Sequence, residues 1–268
     1  MKRRVFLLVM PLVLVAGCGA ETAPSTAELA SPVPAVTDAR APLAKAWDAL
    51  RAGRYRVEMT VDSSQYGVYS NDATIDVDAD VTHVVTGFSG ETNELMTFGD
   101  DVLLESTRML RGAPGVPPGT KWIHLDGKRL EGYAPRAAAF AGLADGVGGG
   151  VSQPYWAGPR EIKGRLDTGK VRLGALVSTS GDLTTVVHGP REDTVRIPFT
   201  ATVDEQGRLA TITWDLRQSN RPVEVSVTFA ISEYGTARTP EPPAPSTVIE
   251  APEESYQALA DSIAERQE

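Results

Sequence analysis

Between Thr194 and Ser232 apolar and polar residues alternate with a period of two through three successive runs, and no other feature narrows the possible folds of this chain as far. Val195, Ile197, Phe199, Ala201 and Val203 form one apolar phase; Asp204 to Gly207 offers a turn; Ile212, Trp214 and Leu216 alternate back. Gln218 to Pro222 offers a second turn, and Val223, Val225, Val227, Phe229 and Ile231 stand opposite Glu224, Ser226 and Thr228. A period of two puts every apolar side chain on one face of a strand, so the run predicts an antiparallel meander with one buried and one wet face. Pro198 has no amide hydrogen to give a ladder, which points to a bulge or an edge strand there.

The same alternation recurs upstream. Tyr55, Val57, Met59 and Val61 face away from Arg56, Glu58, Thr60 and Asp62, and Thr74 to Val81 repeats the pattern. Short apolar runs at Val102 to Leu104 and Lys121 to Leu125 add further strands. Helical spacing is scarcer. Thr37 or Asp38 suits a cap, Pro42 a first turn and Gly53 a stop, with Leu43, Trp47 and Leu50 on one face between them. Tyr133 to Asp145 reads as a short alanine-rich helix followed by a glycine-rich loop, Gly146 to Gly150, with Tyr155 and Trp156 just beyond. Thr239 to Pro252 is proline-rich and extended, and Glu253 to Glu265 forms a last amphipathic helix carrying Tyr256, Leu259 and Ile263.

The amino terminus has a different character. Lys2, Arg3 and Arg4 precede an apolar run from Val5 to Val15, which is shorter than the hydrocarbon core of about 30 Å demands of a spanning helix and fits a secretory leader. Ala16 and Gly17 come directly before Cys18, the one cysteine in the chain. From Gly19 to about Arg40 the residues are Ala, Thr, Pro, Ser and Glu, too polar to bury the surface that ordering requires, so this stretch reads as a tether. Four segments follow: 1–17 as signal peptide, 18–40 as tether, 41–250 as the folded domain and 251–268 as a carboxy-terminal helix. The formal net charge is −9, and loss of Lys2, Arg3 and Arg4 with the leader takes it three units further, to −12. Nucleic acid is thereby disfavoured as a partner, since its phosphates call for a positive field.

Several motif fragments lose to plainer readings. Gly164 to Lys170 approaches a phosphate-binding loop, but Val171 stands where a hydroxyl should meet magnesium. Asp76, Asp78 and Asp80 resemble the start of a calcium loop, but Val81 replaces its glycine, and a wet strand face is the preferred reading. His83, His124 and His188 are too scattered for a metal set. No cofactor, metal or catalytic residue is expected, and the chain is not read as an enzyme.

The order of these pieces carries a resemblance. Small residues before Cys18, a polar tether, a helix from Ala41 to Leu50, a Tyr55-Arg56-Val57 strand and a Lys121-Trp122-Ile123 strand are followed by a Gly- and Ala-rich middle. Ile197-Pro198-Phe199, Val203 to Arg208 and a closing Phe229 to Gly235 complete it. This resembles the actinobacterial lipoproteins of the LolA-like superfamily, relatives of the mycobacterial lipid-carrying lipoproteins. The resemblance implies lipidation of Cys18, an extracytoplasmic place on the cell membrane, and an α+β fold in which a strongly curved antiparallel half barrel has a few short helices over its concave face. The residues themselves agree, because a long one-sided sheet with little helical cover leaves an apolar cleft. Val57, Met59, Phe140, Leu143, Trp156, Phe199, Trp214 and Phe229 are the candidate lining for a lipid or other long apolar ligand. The alternative is a regulatory or structural lipoprotein that uses the same sheet to contact another envelope protein.

Overall fold

The computed structural model describes residues 37–64, 67–88, 91–105, 120–130, 148–167, 170, 196–215 and 225–256. The chain divides into two compact units, Met1–Ala35 and Val36–Glu268, and every described residue lies in the second. Cys18, Phe140, Leu143, His188, the expected 133–145 helix and the later part of the expected carboxy-terminal helix lie outside the described residues.

Helix α1 (Arg40–Asp48) comes first, followed by β1 (Arg54–Ser63), β2 (Gly67–Asp76), β3 (Val81–Phe88), β4 (Glu91–Phe98), β5 (Asp101–Glu105) and β6 (Trp122–Asp126). After these come β7 (Val151–Trp156), β8 (Glu161–Asp167), β9 (Arg196–Val203), β10 (Leu209–Asp215), β11 (Val225–Ser232) and β12 (Val248–Glu250). Among the described residues these twelve strands make one sheet in the order β12-β6-β5-β4-β3-β2-β1-β11-β10-β9-β8-β7. Every pairing is antiparallel except that of β12 with β6. The first and last antiparallel runs meet at a seam where β1 pairs β11, with Met59 opposite Phe229.

The alternation does in three dimensions what it implied in one. Strand β1 buries Tyr55, Val57, Met59, Val61 and Ser63 and exposes the residues between them, apart from a half-buried Thr60. Strand β9 buries Ile197, Phe199, Ala201 and Val203, and β10 buries Leu209, Ile212 and Trp214. Leu43, Trp47 and Leu50 on or just after α1 are all buried against that face. One core cluster joins α1 to strands from β3 across the seam to β8, while a second gathers Leu95, Val102, Ile123, Leu125 and Leu130. Seven adjacent strands laid flat would span about 29 Å, against about 10–12 Å for a helix, so burial of inward side chains across all seven is consistent with a curved sheet.

Two local expectations change. Thr74 to Val81 is not one strand: β2 ends at Asp76, Val77 to Asp80 is a turn, and β3 begins at Val81. The Asp76 carboxylate accepts from the Ala79 amide at 3.1 Å and Asp80 takes φ +52°, so the aspartates form a turn rather than a wet strand face. Gly164 to Asp167 lies within β8, in keeping with the rejection of a phosphate loop there. Pro198 is on neither an edge nor a bulge; β9 is interior, its ladder with β8 runs through Arg165↔Pro198, and its described pairing with β10 stops at Phe199. The missing amide hydrogen therefore falls where that ladder ends.

Both ends of the described chain are tied to sheet edges. The amide of Ala39 donates to the Pro154 carbonyl at 3.1 Å and that of Trp156 to the Thr37 carbonyl at 3.0 Å, so residues 37–39 cover the edge of β7 before α1 begins. At the other edge His124 donates from Nδ1 to Glu250 on β12 at 2.9 Å and from Nε2 to Asp101 on β5 at 3.0 Å. Beyond β12, the Asp126 amide donates to the Tyr256 hydroxyl and the Arg129 guanidinium lies 3.6 Å from the Tyr256 ring centre.

Candidate functional site

The buried face is ordered in rows, because antiparallel partners bring inward side chains side by side. One row runs Thr86, Asn71, Met59, Phe229, Ile212, Ala201, Ile162, Trp156 across eight strands from β3 to β7. A neighbouring row runs Leu104, Leu95, Val84, Ala73, Val57, Ile231 from β5 to β11. On the other side lie Val61, Val227, Trp214, Phe199 and Gly164. Phe199 fits because Gly164 has no side chain: a Cβ there would stand 2.7 Å from the Phe199 ring.

Of the proposed lining, Val57, Met59, Phe199, Trp214 and Phe229 thus come together on one face, each at most 4 % exposed. Trp214 and Phe229 make a tilted ring pair with centres 5.2 Å apart. Trp156 is half-buried and packs against the same cluster from β7. Helix α1 lies over this face, and the space left between it and Tyr55, Val57, Leu209, Ile212, Phe229 and Ile231 is about 10 Å³. That is about the room one water needs.

The face also holds polar groups that alternation did not reveal. Asn71 is 2 % exposed, and among the described residues neither its amide nitrogen nor its oxygen has a hydrogen-bonding partner. Trp214 Nε1, Trp47 Nε1 and Thr82 Oγ1 are buried in the same state. Tyr55, by contrast, donates its hydroxyl to the Leu50 carbonyl at 3.0 Å, tying the end of the helical segment to β1. Burial pushes the Tyr55 phenol well above its ordinary range, so the ring stays neutral. The face is therefore uncharged and apolar, with hydrogen-bonding groups set into it at Asn71 and the two indoles. Asn71 escaped sequence reading because Gly67 to Ala73 has no clean alternation to mark it as inward.

Among the described residues, titratable groups do not converge on this face. His83 meets Glu94 at 3.2 Å on β3 and β4, and among the described residues no group of His, Asp, Glu or Cys is arranged to hold a metal.

No family model and no curated protein matches the chain. Among solved structures it is similar to an uncharacterized conserved protein from Thermus thermophilus, with 10 % identity and a TM-score of 0.33 over 80 % of this chain and 99 % of that one. It is also similar to a LolA superfamily protein from Nitrosomonas europaea, with 14 % identity and a TM-score of 0.28 over 77 % and 96 % of the two chains.

Proposed function

We propose that this chain is an exported envelope lipoprotein of the LolA-like kind, held to the membrane through Cys18, that takes up an apolar ligand carrying one hydrogen-bonding group between α1 and the buried face of its sheet. The observation that carries this reading is Asn71. An amide buried with both ends unpaired costs about 1–3 kcal/mol, whereas a leucine of similar size would cost nothing there. A ligand ester or carbonyl reaching Asn71 removes that cost, and its chain meets the Met59, Phe229 and Ile212 row. Since the space beneath α1 is about 10 Å³, entry requires the helix to move outward. The described backbone links that would have to yield are few, chiefly those of residues 37–39 to β7.

The small size of that space favours a second reading, in which the core is filled and the protein serves as a regulatory or structural partner of another envelope protein. Its weakness is that Val68 is the sole exposed large hydrophobic residue among those described, so they present no apolar patch.

Native mass spectrometry of the purified full-length protein separates the two. An apolar adduct is expected in the wild type. Asn71→Leu should lower its occupancy while raising the melting temperature of the delipidated protein, by a stabilisation of about 1–2 kcal/mol. If no adduct is present and no lipid class shifts the melting temperature, the partner reading replaces the carrier reading.

A further inference from the structure

A second concavity, separate from the space under α1, lies beside β7 and has a volume of about 720 Å³. Its charge is unlike that of the chain around it. Lys163 and Arg165 are two apart on β8 and so project from the same face, and Arg40 joins them from the first turn of α1. Against these three cations the lining has one carboxylate, Asp38, whose Oδ1 already accepts from the Arg40 amide at 2.9 Å. Lys163 pairs with Glu161 at 2.8 Å. Arg165 donates to the Arg196 carbonyl at 3.4 Å, and among the described residues no carboxylate bridges either Arg165 or Arg40. In a chain of net charge −9, three cations around one hollow with Asp38 and Glu161 as their nearby carboxylates leave a positive excess there.

The backbone is shaped at the same place. Strand β7 shifts register between Ser152 and Tyr155, and Gln153 inside that bulge takes φ +51°, a conformation unfavourable for a side chain with a Cβ. The bulge sets Tyr155 opposite Lys163, so a ring and an ammonium line the hollow together. Cations beside an aromatic and proline wall suit an amphiphilic anion better than a free one, and guanidinium groups match phosphate oxygens in geometry.

We infer that this cleft binds the phosphodiester headgroup of an anionic membrane lipid, with Arg40, Arg165 and Lys163 supplying the charge. The choice of a lipid over a soluble phosphate comes from the chain itself. Residues 37–39 border the cleft, and Cys18 precedes Thr37 by 19 residues, a contour of at most about 65 Å, so acylation at Cys18 would limit how far from the headgroups this hollow can lie. The membrane anchor belongs to the function proposed above; the cleft's chemistry does not depend on it.

The test uses the full-length protein in dodecyl maltoside micelles, titrated calorimetrically with the same micelles containing phosphatidylglycerol, with micelles containing phosphatidylcholine, and with sodium phosphate. Phosphatidylglycerol should bind saturably, and Arg40→Glu with Arg165→Glu should weaken it about tenfold or more at an unchanged melting temperature. Lys128→Glu, on the far side of the sheet order, should leave it unaltered. Equal binding of phosphatidylcholine, tighter binding of sodium phosphate, or wild-type affinity in the double variant would each overturn the inference. Intact mass of the same sample reports acylation of Cys18 independently, so failure of the anchor and failure of the cleft are read separately.

Discussion

His124 shows how much one residue can decide at the edge of this sheet. Burial alone lowers its affinity for a proton, but hydrogen bonds and charge from Glu250 and Asp101 outweigh that and hold its pKa above the ordinary value. A carboxylate on each ring nitrogen stabilises the imidazolium relative to the neutral ring, and the protonated ring clips β12 to β6 and β5. A group whose pKa is raised on folding contributes stability that is complete below its unfolded value, near 6.5, and is lost as pH rises through the higher folded value. Amide exchange in residues 248–256 should therefore speed up as pH increases from 6 to 9, beyond the intrinsic pH trend. His124→Gln should remove that extra dependence and leave the rest of the sheet alone. An unchanged profile in the variant would mean that the ladder and Tyr256, rather than the ion pairs, retain the segment. Nothing in the sequence brought His124, Asp101 and Glu250 together, because the pairing of β12 with β6 links positions 126 residues apart.

At the scale of elements, sequence reading succeeded where side chains alternate and failed where they bond to the backbone. The inward phase of β1, β9 and β10 was legible because apolar residues recur every second position for three or four turns of the pleat. Thr74 to Val81 alternated just as well, yet the Asp76 carboxylate captured the Ala79 amide and bent the chain. The cationic cleft was illegible for another reason: Arg40 and the β8 cations are more than a hundred residues apart, and only the pairing of residues 37–39 with β7 places them side by side. Within that corner β8 and β9 approach closely at Gly164, where a Cβ would lie 2.7 Å from the Phe199 ring and 3.1 Å from the Ser152 carbonyl oxygen. Gly164→Ala should destabilise the protein by about 1–3 kcal/mol in urea unfolding. Phe199→Leu should recover part of that loss in the double variant, a coupling that two independent sites would not show.

For the whole molecule the first expectation concerns attachment. The chain is acidic, and an acylated cysteine buries about 0.8 kcal/mol per methylene, so two or three acyl chains on Cys18 are enough to hold it without help from charge. Cys18→Ser should move the protein from the membrane pellet to the soluble fraction, or leave it there only with its leader uncleaved; a processed variant that still sediments would argue against a lipid anchor. The seam between β1 and β11 bears on time rather than place. Strands β1 to β6 can pair with sequence neighbours as soon as they are synthesised, and so can β7 to β11, but Met59 meets Phe229 only after about 170 further residues have been added. Until then β1 is an open edge with Val57, Met59 and Val61 uncovered, which is a template for aggregation. A chain ending at residue 224 should consequently accumulate as oligomers or be degraded, whereas one ending at residue 238, with β11 complete, should fold. The last strand of the meander thus acts as a checkpoint on synthesis: a chain interrupted before it arrives is left open along its middle.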